Sequence, residues 1–131
     1  MTVPHVPILS PDQLPISLGT PLDGRSKTVV SDLINPHGFV VFRGYGVRSD
    51  QEFHDFIECF GLPNFTYAES FSNAVRRNRT PRVFTANEAP PEIEIFLHHE
   101  MAQTLVFPGQ LFFFCEQAPT EGGATLIGRS D

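Results

Sequence analysis

His98 and Glu100 stand one residue apart in the run FLHHEMAQTLVFPGQLFFFCEQAPTEGGAT, which begins at Phe96. Side chains two positions apart on a β-strand share a face. The spacing therefore predicts that this imidazole and this carboxylate project together while His99 points the other way. An imidazole nitrogen and a carboxylate oxygen are two of the three protein donors that hold non-haem Fe(II) in a face of two histidines and one carboxylate. Such a face leaves coordination positions open for co-substrate and oxygen, which a closed four-donor site would not. Glu100 would offset part of the ion's charge, and His98 would supply a borderline-soft nitrogen. Alternation favours His98 over His99 as the ligand, provided the strand has not already broken into a turn at Leu97. Taken alone, an H-x-E pair reads better as a strand end whose polar residues meet water.

Further elements surround the pair in a definite order. A lead-in, TANEAPPEIEI, precedes it. Pro108, an apolar stretch at residues 111–115 ending in Cys115, Pro119, and the turn Gly122-Gly123-Ala124-Thr125 follow it. In this order, residues 84–125 resemble the TauD/TfdA, or clavaminate synthase-like, family of Fe(II)- and 2-oxoglutarate-dependent dioxygenases. Upstream, GFVVFRGYGV at residues 38–47, a helix ending Cys59-Phe60-Gly61, and Tyr67 are similar to that family's first strand, following helix and entry loop.

The resemblance implies that His98 and Glu100 bind Fe(II), with the variable middle position of the motif falling on His99. It implies 2-oxoglutarate as co-substrate, chelating iron through its keto-acid end, and Thr125 hydrogen-bonding one of its carboxylates. The implied reaction is hydroxylation at an unactivated C–H bond of a small organic acid or amino-acid-like substrate. Gly122 and Gly123 would permit a tight turn and close backbone approach, though by themselves they read as a hairpin turn. Ala124 departs from the family, which often has Glu there. The family's distal histidine, and the arginine that anchors 2-oxoglutarate, match no residue of this chain.

Composition bounds the class. A chain of 131 residues is expected to form one domain at most. With 40% hydrophobic residues, 13 Phe and no Trp, it is globular rather than disordered. A formal charge of −6 argues against a broad phosphate-binding surface and so against a nucleic-acid partner. Arg76, Arg77, Arg79 and Arg82 crowd one loop, either a solvated turn or a clamp for a substrate carboxylate. Asn73, Arg76 and Arg77 are the candidates for substrate contact. Cys59 and Cys115 lack metal-site spacing and are expected to be two buried thiols rather than a disulfide. There is no charged-then-apolar leader pattern and no run of membrane-spanning length, so a reducing cytoplasm is the default expectation and no membrane partner is expected.

The elements that must position the site follow from pattern. Residues 1–25 are Pro-rich and read as an edge strand or arm, because proline donates nothing to a ladder. Val29, Val30, Leu33 and Ile34 give residues 26–35 one apolar face, a short helix stopped by Pro36 and Gly38. Residues 38–43 read as a strand buried on both faces, turned by Gly44 and Gly46. Ser49 and Glu52 form a capping box for a second helix with the stripe Phe53, Phe56, Ile57 and Phe60, ended at Gly61. His54 lies beside the stripe as a partly exposed residue. Residues 62–92 form a long loop of the kind that serves as a lid or binding segment, and 93–97 a strand leading to the metal pair. His5 and His37 are surface histidines, with an opportunistic ligand role open to either.

The fold expected is α+β and mainly β: an incomplete double-stranded β-helix (jelly roll) with N-terminal helices packed on it. Residues 1–131 would form the N-terminal portion of a single TauD-like domain. About four or five strands are present by pattern, which leaves open edges. The chain is thus expected to be inactive alone and to pair with a complementary C-terminal chain. The alternative is a non-catalytic β-rich module or half-barrel pairing partner without a complete metal site. A metal hydrolase is weaker still, since no closed zinc ligand set or general base is evident.

Overall fold

The computed structural model describes residues 5–65, 76–90 and 92–128, which fall in two compact units, Met1–Leu62 and Pro63–Asp131. The first unit contains β1 (Ile8–Leu9), α1 (Gly24–His37), β2 (Val41–Phe42) and α2 (Asp50–Glu58). β1 and β2 pair in parallel with Ile8 opposite Val41 and Leu9 opposite Phe42. Val41 N–H donates to the Pro7 carbonyl at 2.9 Å and Arg43 N–H to that of Leu9 at 2.8 Å. A parallel pair needs a crossover, and α1 supplies it. The Pro-rich arm does hold an edge strand: Pro7 and Leu9 are buried while Val6 and Ile8 face out. Residues 38–43 were expected to be buried on both faces. Val41 and Phe42 are instead half-buried, because a two-strand sheet covers them incompletely.

α1 starts earlier and ends later than its apolar face predicts. Asp23 caps it, its Oδ1 accepting the Ser26 N–H at 2.7 Å. At the other end Pro36 lies inside the helix. The proline removes the bond its own N–H would have made to the preceding turn, and the helix runs on past it nonetheless. Gly38, at φ 79°, closes the helix in the left-handed region, with its N–H on the Ile34 carbonyl. Of the four expected core residues in α1 only Val30 is fully buried.

α2 follows its sequence signals closely. Ser49 Oγ accepts the Glu52 N–H at 3.2 Å, while the Glu52 carboxylate accepts the Arg48 N–H at 2.8 Å. That is one residue earlier than the usual reciprocal bond of a capping box. Phe56, Ile57 and Phe60 are buried. The rings of Phe42, Tyr45 and Phe60 lie 5.2, 5.7 and 5.5 Å from that of Phe56. Tyr45 donates its hydroxyl to the Leu14 carbonyl at 2.8 Å, and burial raises its phenol above the usual value of 10.0. Cys59 is fully buried, its thiol on the Asp55 and Ser17 carbonyls. Leu22 N–H reaches the Cys59 carbonyl at 2.7 Å, which fastens the arm to the end of α2.

Among its described residues the second unit is irregular apart from one small hairpin inside the region expected to be loop. Asn78 and Phe84 form an antiparallel bridge. Arg79 N–H donates to the Val83 carbonyl at 2.8 Å, and Thr85 N–H to that of Arg77 at 2.9 Å. Thr80 Oγ1 accepts the N–H groups of Arg82 and Val83, closing the tip. Neither residues 93–97 nor residues 111–115 form a strand among the described residues. Their side chains stand largely in the open, Phe96, Leu97 and Phe113 among them. Cys115, expected to be buried in a strand, is exposed for the same reason; like Cys59 it is a free thiol. No helix among the described residues is long and apolar enough to cross a membrane.

Candidate metal centre

His98 and Glu100 do come together, but not through strand pleating. Residues 94–99 are irregular, and Glu100 begins a turn. Ala102 N–H closes that turn on the His99 carbonyl at 3.3 Å, and Thr104 N–H follows on that of Met101 at 3.0 Å. Met101 takes φ 61°, a conformation uncommon for a side chain of its kind, and is buried. The backbone bend and the buried methionine set the direction of Glu100. His98 Nε2 lies 3.8 Å from Glu100 Oε2. His99 is exposed, and the alternation that was to separate it from His98 has no ladder to enforce it.

The protonation pattern follows from neighbours. His98 Nδ1 lies 2.7 Å from the Phe96 carbonyl oxygen. A carbonyl can only accept, so the ring must carry its proton on Nδ1 to make that bond. In the neutral imidazole, Nε2 is then left with its lone pair toward Glu100, the tautomer that metal ligation requires. Glu100 is mostly buried and His98 mostly open, with side chains 17% and 58% exposed. The second carboxylate oxygen, Oε1, accepts a hydrogen bond from Arg76 Nη2 at 3.1 Å. Arg76 is 18% exposed, and its guanidinium carbon sits 5.9 Å from the centre of the Phe84 ring.

This donor set fits a divalent first-row ion. Bonds of about 2.1 Å set at right angles would put two donors about 3 Å apart. The observed pair stands somewhat wider than that, at 3.8 Å. Among the described residues no group of three or more His, Cys, Asp and Glu is placed to share a metal, so the pair supplies two donors and no third.

The other candidate residues are dispersed. Arg77 pairs with Glu88 at 3.1 Å, and Arg79 with Glu116 at 3.6 Å. Thr125 lies exposed in an irregular stretch after Gly122 and Gly123, both at φ 66°. A Cβ on Gly123 would come 2.7 Å from Pro119 Cγ, so this turn does demand glycine. Asn73 lies outside the described residues, as does Tyr67. His54 is partly exposed and faces Glu58 at 3.8 Å. The rings of His5 and His37 lie 5.8 Å apart in the first unit. The contact that sequence reasoning missed is that of Arg76 with Glu100. The two are 24 positions apart, and no local period links them.

Comparison with known proteins decides the family. The model of the taurine catabolism dioxygenase TauD, TfdA family matches residues 5–128. The chain belongs to the TauD/TfdA family. It is 42% identical over 114 residues to a clavaminate synthase-like protein of Arabidopsis thaliana, covering 87% of this chain and 34% of that one. It is 28% identical over 125 residues to the dapdiamide synthesis protein DdaC of Enterobacter agglomerans, covering 95% of this chain and 36% of that one. This TauD/TfdA chain thus spans about a third of the length of the curated relatives it matches. No solved structure matches it significantly. The family is one of dioxygenases and is generally dependent on Fe(II) and 2-oxoglutarate.

Proposed function

We infer that this chain contributes His98 and Glu100 to the Fe(II) site of a 2-oxoglutarate-dependent dioxygenase that hydroxylates a small organic acid or amino-acid-like substrate. The observation that carries the reading is the facing pair: an imidazole nitrogen and a carboxylate oxygen 3.8 Å apart, with Nδ1 of His98 engaged by its own chain at Phe96. Bound there, iron with 2-oxoglutarate would supply oxidative attack on an unactivated C–H bond, coupled to release of succinate and carbon dioxide. The chain's own residues bind and orient. His98 offers Nε2, Glu100 offers Oε2 and negative charge, and Thr125 donates its hydroxyl to a co-substrate carboxylate. Asn73, Arg76 and Arg77 are assigned to the substrate side, Arg76 only as far as its hold on Glu100 leaves it available.

The third ligand and the arginine that anchors 2-oxoglutarate would come from a complementary C-terminal chain. Its strands would complete a jelly roll over the exposed residues of 93–127, with residues 1–131 as the N-terminal portion of one domain. Two features support this part of the reading. The chain covers about a third of its relatives, and Ile93, Phe96, Leu97, Leu105, Phe107 and Phe113 are exposed where a barrel would cover them. A cytoplasmic location with ready access to 2-oxoglutarate completes the proposal.

The test is succinate formation coupled to substrate in the completed protein. His98→Ala or Glu100→Ala is expected to abolish it, and His99→Ala to leave much of it. Equal loss from all three would refute the assignment of the ligand. The isolated 131 residues, given Fe(II) and ascorbate, are expected to release negligible succinate.

A further inference from the structure

Glu100 has two oxygens, and they face different neighbours. Oε1 takes the Arg76 guanidinium at 3.1 Å, while Oε2 faces His98 at 3.8 Å. Both side chains of the Arg76–Glu100 contact are more than four-fifths covered, so it is not a loose surface pair of the kind that contributes little. The guanidinium is planar and forked, and Phe84 lies beside it, which limits the ways it can swing away. On these grounds we propose that Arg76 is a positioning residue for the metal centre. It holds Oε1, so that Glu100 presents a single oxygen to an ion beside His98. This inference rests on His98 and Glu100 being the metal donors.

The consequence is selectivity. Large hard ions such as Ca2+ gain from carboxylates that bind through both oxygens, whereas smaller six-coordinate ions accept one. A carboxylate with one oxygen occupied by arginine therefore disfavours Ca2+ relative to Mn2+, used here as the redox-stable probe for Fe(II). Removing Arg76 also removes a positive charge near the site, which strengthens binding of any cation. Both probes carry the same charge, so that effect cancels in the ratio of their dissociation constants. Partial unfolding cancels in the same way.

The experiment titrates the completed protein with Mn2+, following the free ion by electron paramagnetic resonance, and then displaces it with Ca2+. In the wild type, Mn2+ is expected to bind and Ca2+ to compete poorly, with His98→Ala and Glu100→Gln each removing the Mn2+ signal change. Arg76→Gln is expected to shift the Ca2+/Mn2+ preference about tenfold toward Ca2+. Arg76→Lys keeps a cation without the fork and should shift it less, by about threefold; it decides the matter if Arg76→Gln does not fold. Mn2+ binding that depends on His98 and Glu100 but keeps the wild-type preference in the Arg76 variants overturns the role of Arg76 alone. Absence of Mn2+ binding to the wild type, or indifference to His98 and Glu100, overturns the metal assignment and this inference with it.

Discussion

Phe56→Ala should unfold the first unit's core or come close to it. Phe56 is 5% exposed and stands at the centre of an aromatic cluster, with the rings of Phe42 at 5.2 Å, Phe60 at 5.5 Å and Tyr45 at 5.7 Å. Truncating a buried phenylalanine costs about 3–5 kcal/mol, from lost transfer free energy and the cavity left behind. Two of these pairs are edge-to-face, an arrangement worth about 0.5–1.5 kcal/mol each beyond burial, which argues for the upper part of that range. Small domains possess only about 5–15 kcal/mol in total, so about 4 kcal/mol removes a large share. For a unit of this size it lowers the melting temperature by roughly 15–30 °C. Phe56→Leu fills most of the space and should cost about 1–1.5 kcal/mol. Phe113→Ala, at a ring 73% exposed, should change stability by no more than about 0.5 kcal/mol. Urea unfolding read by far-ultraviolet circular dichroism measures all three. Tyrosine emission gives a second probe, since the chain has two Tyr and no Trp. A loss below about 1 kcal/mol for Phe56→Ala, or an equal loss for Phe113→Ala, would show that this cluster is not what holds the unit together.

The Asp23 carboxylate is held below its usual value of 3.8, chiefly by the Ser26 backbone N–H and then by the Ser26 side chain. Because the folded value is the lower one, its stabilising effect is complete above 3.8 and drains away as pH falls through the folded value. Asp23→Asn caps almost as well without titrating, so wild type and variant should converge in urea midpoint on acidification; a constant gap would rule out the charged cap. Gly122→Ala should cost about 1–2 kcal/mol from its left-handed backbone alone. Gly123→Ala should cost more, because its Cβ would press on Pro119 Cγ at 2.7 Å, and Pro119→Ala in that background should recover most of the difference. If Gly122→Ala and Gly123→Ala cost the same, the Pro119 contact is not limiting.

α2 was legible because every signal for it is local. Ser49, Glu52 and the Phe53, Phe56, Ile57, Phe60 stripe act within a few residues of one another; the helix starts where they dictate and ends at Glu58, with Phe53 partly buried and Phe60 buried just beyond it. The end of α1 was less so. Pro36 reads as a stop signal, but the helix runs through it to His37, and Gly38 sets the true end. The β1–β2 pair joins Ile8 to Val41 across the whole of α1, and no pattern in two-residue strands records such a partner. Residues 93–97 and 111–115 have strand composition without strand structure, since a ladder depends on a neighbour that composition does not name. The hairpin at 77–85 left a fainter signal: Thr80 and Thr85, whose hydroxyls accept its backbone N–H groups.

The candidate site shows the same division between local and distant causes. The spacing of His98 and Glu100 brought the two side chains together, yet for a different reason from the one the spacing suggests. On a strand, the pleat would fix both side chains through backbone hydrogen bonds to neighbours. Here His98 is fixed by its own chain, through Nδ1 on the Phe96 carbonyl. Glu100 is fixed by Arg76, from a hairpin base 24 positions away, and by the left-handed bend at Met101. Each donor thus has its own anchor, and each anchor leaves one atom turned toward the other donor. The one-residue spacing alone therefore does not define how Glu100 meets an ion. Arg76, donating to Oε1 from 24 positions away, contributes to that definition.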